Sequence, residues 1–213
     1  MKVSRYPGYD VLAKRNSPSW DAITRQVIED RLRPTAPARF CTATEWAILQ
    51  ALCDTVVPRD ANHAPIPTAA LVDARLSMDA RDGYRDARLP PLQQAWRIGL
   101  SALNAASNQI SGVAFSRASS EQRTALVALM EQGLLTGDAW KGMPAEVFFK
   151  QRVLPDLCGA YYAHPHAWND MGFGGPANPR GYVRLQADRR DPWEAIEAGE
   201  DPERVARQNR RVR

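Results

Sequence analysis

His164 and His166 stand two residues apart around Pro165, with Asp170 four residues further on, inside the stretch YYAHPHAWNDMGFGGPANPRGY. Imidazoles beside a carboxylate are suited to holding a transition metal or moving a proton. A metal centre would need a third or fourth ligand at a recognisable spacing, and the sequence supplies none. A histidine acid or base would need a nucleophile or a second carboxylate, and the chain has no GxSxG, no Cys–His signature and no paired catalytic carboxylates. A self-sufficient enzyme using His164 or His166 with Asp170 is the alternative reading; the residues favour a chain with no catalytic, metal-binding or cofactor-binding residues of its own. His63, alone in a proline-bounded loop, reads as a capping or surface residue ahead of a ligand.

The glycines of the same stretch, Gly172, Gly174 and Gly175, superficially resemble a phosphate cradle. Such cradles need a strand before them and a helix N-terminus after them. Here a helical pattern precedes and Pro176 follows, so the glycines are expected to allow positive φ and close backbone approach in a tight loop. What remains is binding through large, low-entropy side chains. Tyr162, His164, Trp168, Phe173, Arg180 and Tyr182 are the candidate partner-binding residues, because rings and arginine forks are enriched at protein interfaces. Tyr161 and Phe173 are equally suited to closing the chain's own core.

The elements that must position this loop read as helices. Ser17 followed by Pro18 predicts a first helix with Trp20, Ile23, Val27 and Leu32 on one stripe, ending before Pro34. Thr42 and Glu45 form a capping-box pair ahead of Trp46, Leu49, Cys53 and Val56. A helix is expected after Thr68, with Leu71 and Leu76 inward, and another from Pro91 to about Asn108 with Leu92, Trp96, Gly99 and Leu103 inward. Gly99 on that stripe predicts close helix approach. Ser119 and Gln122 cap a further helix burying Leu126, Leu129 and Met130. From Pro144 a helix buries Phe148, Phe149, Val153, Leu157 and Cys158, with a kink at Pro155. Asp-Pro at 191 and again at 201 predicts two short helices. No period-two alternation appears, so the fold class is all-α with long loops. The organisation expected is an N-terminal arm (1–38), a helical domain (39–184) and a C-terminal arm with a basic tail (185–213). Both arms are expected to wrap a partner or the domain.

Composition narrows the function classes. The 213 residues carry a net charge of +4, yet five arginines fall within residues 204–213, so the excess reads as a partner-docking tail ahead of a nucleic-acid or membrane-surface adaptor. Three separated cysteines form no CxxC pair, which excludes an iron–sulfur or c-type haem signature. No apolar run has the length to cross a bilayer, and the opening KVSRYPGYDVLAKRNS has no secretory pattern. A cytoplasmic location is the expectation.

The segments FCTATEWAILQALCDTVVPRD, LVDARL, EQRTALVALMEQG, VFFKQRVLPDLCGAYYAHPHAW and GFGGPANPRGY resemble the gluconate 2-dehydrogenase subunit 3 family, the small or gamma subunits of flavin-dependent sugar dehydrogenases. The similarity runs over roughly residues 40 to 185. It implies an accessory subunit without a cofactor, bound in a heterodimer to a large FAD-carrying subunit of the glucose-methanol-choline type that oxidises a sugar, sugar acid or glycoside. Many relatives bear a twin-arginine leader; this sequence shows none, in keeping with the cytoplasmic expectation.

Overall fold

The computed structural model describes residues 4–33, 38–57, 64–79, 83–176, 191, 193–199 and 201–211. Among them every regular element is helical. Contacts divide the chain into two units. The first comprises Met1–Pro34, His63–Ile66 and Tyr162–Arg213, and the second Thr35–Asn62 and Pro67–Tyr161. The expected domain boundary at 184 lies outside the described residues, as do His63, Arg180 and Tyr182. No helix among the described residues is long and apolar enough to cross a membrane.

The second unit follows its sequence closely. The Thr42 hydroxyl accepts the Glu45 N–H while the Glu45 carboxylate takes the Thr42 N–H, opening α2 (Ala43–Val56). Helix α3 spans Thr68–Ser77 and buries Leu76, leaving Leu71 half-buried. Helix α4 (Leu92–Ser111) runs three residues past the expected end because Gly112, in the left-handed conformation, is the first residue that stops it. Ser119 and Gln122 cap α5 (Ser120–Glu131) reciprocally, with Leu126 and Met130 inside and Leu129 half-buried.

Gly99 does what its place on the α4 stripe suggests. The Phe148 ring, from α6 (Ala145–Phe148), fills the space where a side chain would begin; a Cβ on Gly99 would lie 2.2 Å from Phe148 Cζ. That ring also meets Trp96 edge-on at 5.4 Å. Pro155 has no N–H for the Gln151 carbonyl, and the chain accommodates this with a π turn over Phe149–Val153 before α7 (Leu154–Ala163) resumes. Two buried carboxylates brace the unit. Asp73 accepts the backbone N–H groups of Arg39 and Cys41, and Asp156 accepts the Trp96 indole N–H at 2.8 Å and pairs with Arg75 at 3.2 Å.

The first unit departs from its sequence in two places. Its first α-helix begins later than Ser17 and Pro18 suggest. Ser17 instead closes a 3₁₀ turn (Val11–Asn16), and Asp21 caps α1 (Ala22–Leu32) by accepting the Thr24 N–H. Trp20 is buried ahead of the helix, Thr24 and Ile28 face inward, and Ile23 is 75% exposed with Val27 also exposed. The inward stripe is shifted by one residue, about 100°, from the one expected. The helix expected after Asp191 is absent among the described residues 193–199. Trp193 and Ala195 are drawn into the core, and the Ile196 backbone is bonded to Asn209 through both its N–H and its carbonyl. The second Asp-Pro start does open a helix, α9 (Pro202–Asn209), capped by the Asp201 carboxylate.

Candidate functional site

The aromatic and glycine-rich stretch folds within the first unit around a seven-residue helix, α8 (Pro165–Met171). His164 is its N-cap, and its Nδ1 accepts the His166 N–H at 3.3 Å; Pro165 occupies the first turn, where a missing N–H costs nothing. His164 is only 4% exposed. Burial, reinforced by the neighbouring His166, pushes its imidazole down to about 4, so at neutral pH it is an uncharged capping acceptor. Among the described residues no three His, Cys, Asp or Glu side chains come together as a metal site.

Gly172 ends α8 at φ 64°, with its Cα against the Tyr6 ring; a Cβ there would fall 2.5 Å from Tyr6 Cζ. Gly175, at φ 74°, lies against Trp168 and Trp20. Between them the Gly174 carbonyl accepts from the Lys14 ammonium, which is fully buried. Burial lowers Lys14 to about 8, with Glu194 and Asp191 acting in the opposite direction. The glycines thus serve close approach of backbone to rings, as the sequence implies. The buried lysine beneath them had no sequence signal, since Lys14 sits in the polar run AKRNS.

Trp168 organises the site. It is 2% exposed, its indole N–H donates to the Tyr162 carbonyl at 2.8 Å, and the Phe173 ring meets it edge-on at 5.3 Å. Arg31 of α1 places its guanidinium 5.7 Å from the indole and donates to the Ala163 carbonyl. Asn169 accepts the Val11 N–H at 2.8 Å, fastening α8 to the 3₁₀ turn. Of the residues singled out for partner contact, Trp168 and His164 are interior in this chain and present no surface of their own. Tyr162 and Phe173 are 50% and 43% exposed. The buried indole packs the Phe173 ring and anchors the Tyr162 backbone through its carbonyl, with the partly exposed Met171 between the two residues in sequence. Sequence reasoning missed Lys14, Arg31 and Asn169, whose partners are more than a hundred residues away in the chain.

Residues 43–175, from the start of α2 through the Gly174–Gly175 turn, match the family model described as gluconate 2-dehydrogenase subunit 3. The chain belongs to that family. No curated protein and no solved structure matches it. The family model takes in His164, the whole of α8 and the buried Trp168 with its two exposed ring partners. It stops short of Arg180, Tyr182 and α9. The family name implies a subunit of a dehydrogenase complex.

Proposed function

We propose that the chain is the non-catalytic small subunit of an FAD-dependent sugar or glycoside oxidoreductase, and that it docks a large subunit of the glucose-methanol-choline type through the ring pair Tyr162 and Phe173. The observation that carries the reading is the arrangement around Trp168: a buried indole packs the half-exposed Phe173 ring and anchors the backbone from which the half-exposed Tyr162 ring projects. Rings fixed before binding lose little rotamer freedom on docking and bury large apolar area, the combination found at interface hot spots. His164, buried and uncharged, contributes by capping α8, the helix that carries Trp168.

The test is co-expression of this chain with the flavin-bearing large subunit. The wild-type pair should co-purify with a flavin absorbance and oxidise a sugar with an acceptor dye, whereas the double substitution Tyr162→Ala, Phe173→Ala should lose co-purification while keeping its helical content. A purified chain that is itself yellow, or oxidises a carbohydrate unaided, refutes the proposal.

A further inference from the structure

The last helix described, α9, is tied into the first unit by a buried amide and a buried valine. Asn209 is 1% exposed and uses its whole side chain: Oδ1 accepts the Ile196 N–H at 2.8 Å, and Nδ2 donates to the Pro7 and Ile196 carbonyls, each at 2.9 Å. Val205, one turn earlier on the same face, is also buried. Gly8 approaches the helix so closely that a Cβ there would lie 2.8 Å from the Ala206 carbonyl oxygen. The inward face of α9 is therefore fixed by two positions four residues apart, and its outward face is set in consequence.

That outward face is cationic. Arg204, Arg207 and Arg211 follow at i, i+3 and i+7, which places them along one side of a helix and its final turn, and Arg210 flanks them. All four are exposed. Among the described residues the only ion pair on the helix is Glu203 to Arg207, at 4.0 Å; Asp201 is occupied in capping. Exposed arginines normally cost little when solvated. Locking a helix by one hydrogen bond to Pro7 and two to Ile196, so as to carry an almost unopposed row of them, is more than solvation requires.

We infer that the Arg204–Arg207–Arg211 face is a second docking surface and that its occupant is an acidic patch on the partner polypeptide. Arginine forks match carboxylates with two parallel hydrogen bonds. The face has no aromatic ring to stack on bases and no large apolar side chain to enter lipid, the features by which single-stranded nucleic acid and membrane surfaces are gripped. The inference rests on the accessory-subunit reading above but uses a surface outside the family-matched residues. It gives the arginines a role in steering and orientation separate from the ring pair.

The experiment uses the full chain with its co-expressed flavoprotein subunit and compares three forms: wild type, the triple variant Arg204→Glu, Arg207→Glu, Arg211→Glu, and the ring variant Tyr162→Ala, Phe173→Ala. The triple variant should keep its helical content and bind at least about tenfold more weakly at low ionic strength. That gap should shrink at about 1 M salt, where screening acts within roughly 3 Å. Triple-variant affinity within about twofold of wild type, with the ring variant weakened, overturns the α9 surface and leaves the subunit reading standing. Wild-type affinity in both variants removes the subunit docking proposal and this one with it. Binding of the isolated wild-type chain to duplex DNA or to phosphatidylserine-containing vesicles, lost in the triple variant while flavoprotein affinity is unchanged, overturns the assignment to a protein partner.

Discussion

Replacing Trp168 by alanine removes the side chain that packs the Phe173 ring and anchors the Tyr162 backbone. The indole is 2% exposed within a small cluster containing Tyr9, Val11, Trp20, Ile28, Trp193 and Ala195, so its loss opens a cavity walled by other large rings that have little room to collapse. Substitutions of this kind cost about 3–5 kcal/mol. The Tyr162 carbonyl also loses its donor, worth about 1 kcal/mol more. A domain's whole stability is only about 5–15 kcal/mol, so the change should remove a large share of it and lower the melt strongly. Trp168→Phe, which keeps a ring but not the N–H donor, should cost about 1–2 kcal/mol. Tyr162→Ala and Phe173→Ala, being surface truncations, should stay within about 1 kcal/mol of wild type and act on partner binding instead. Thermal melts followed by circular dichroism on the isolated chain separate these cases. A Trp168→Ala melt that overlays the wild-type curve would show that the indole is not a support, and would return it to the interface that its place among loop residues suggests.

Gly99→Ala gains about 1 kcal/mol in helix propensity but drives a methyl into the Phe148 ring, itself held by Trp96. The overpacking cost of roughly 1–3 kcal/mol wins, so the melt should fall by a few degrees, and Phe148→Leu in the same chain should recover part of the loss. His164 has its imidazole pushed down to about 4 from an ordinary 6.5. The unfolded chain therefore takes up a proton that the folded chain refuses as pH falls through that window. Its contribution is fully present above about pH 6.5 and is lost towards pH 4 at about 1.4 kcal/mol per unit. Urea titrations at pH 7.5 and 4.5 should show a smaller acid loss in His164→Asn, which keeps an N-cap without the titration. Asp156→Ala strips the acceptor from the Trp96 indole and the partner from Arg75. Arg75 is partly solvated, so a loss of about 2–3 kcal/mol is expected by denaturant unfolding, below the full cost of breaking a buried pair.

Legibility in the sequence followed the range of the interaction. The Thr42–Glu45 and Ser119–Gln122 boxes span three residues and formed as spelled out, because a cap is satisfied by its own first turn. Gly99 was legible because its neighbours on the α4 stripe define an inward face. The register of α1 was not, since Ser17 and Asp21 both qualify as caps, and the choice is made by Trp20 entering the core ahead of the helix. The segment after Asp191 carries a good helix start, yet Asn209 claims the Ile196 backbone from a distance of thirteen residues. Within the candidate site the composition announced large rings and tight glycine turns. It could not say that Trp168 faces in while Phe173, five residues on, faces out, because α8 is too short for a stripe to declare itself.

The two units also solve stability differently. Among the described residues the second unit gathers twenty-eight buried apolar side chains into one cluster, and the first gathers seven. The smaller core buries less apolar surface against the ordering of its backbone. The first unit adds long-range polar ties: Lys14 to the Gly174 carbonyl, Asn169 to the Val11 amide, Arg31 to the Ala163 carbonyl, and Asn209 to Pro7 and Ile196. Such bonds contribute only about 1 kcal/mol each but are directional, so they fix geometry more than they add stability. That is what the proposed docking surface would require, and it fits the use of the buried Trp168 ring as support for Phe173.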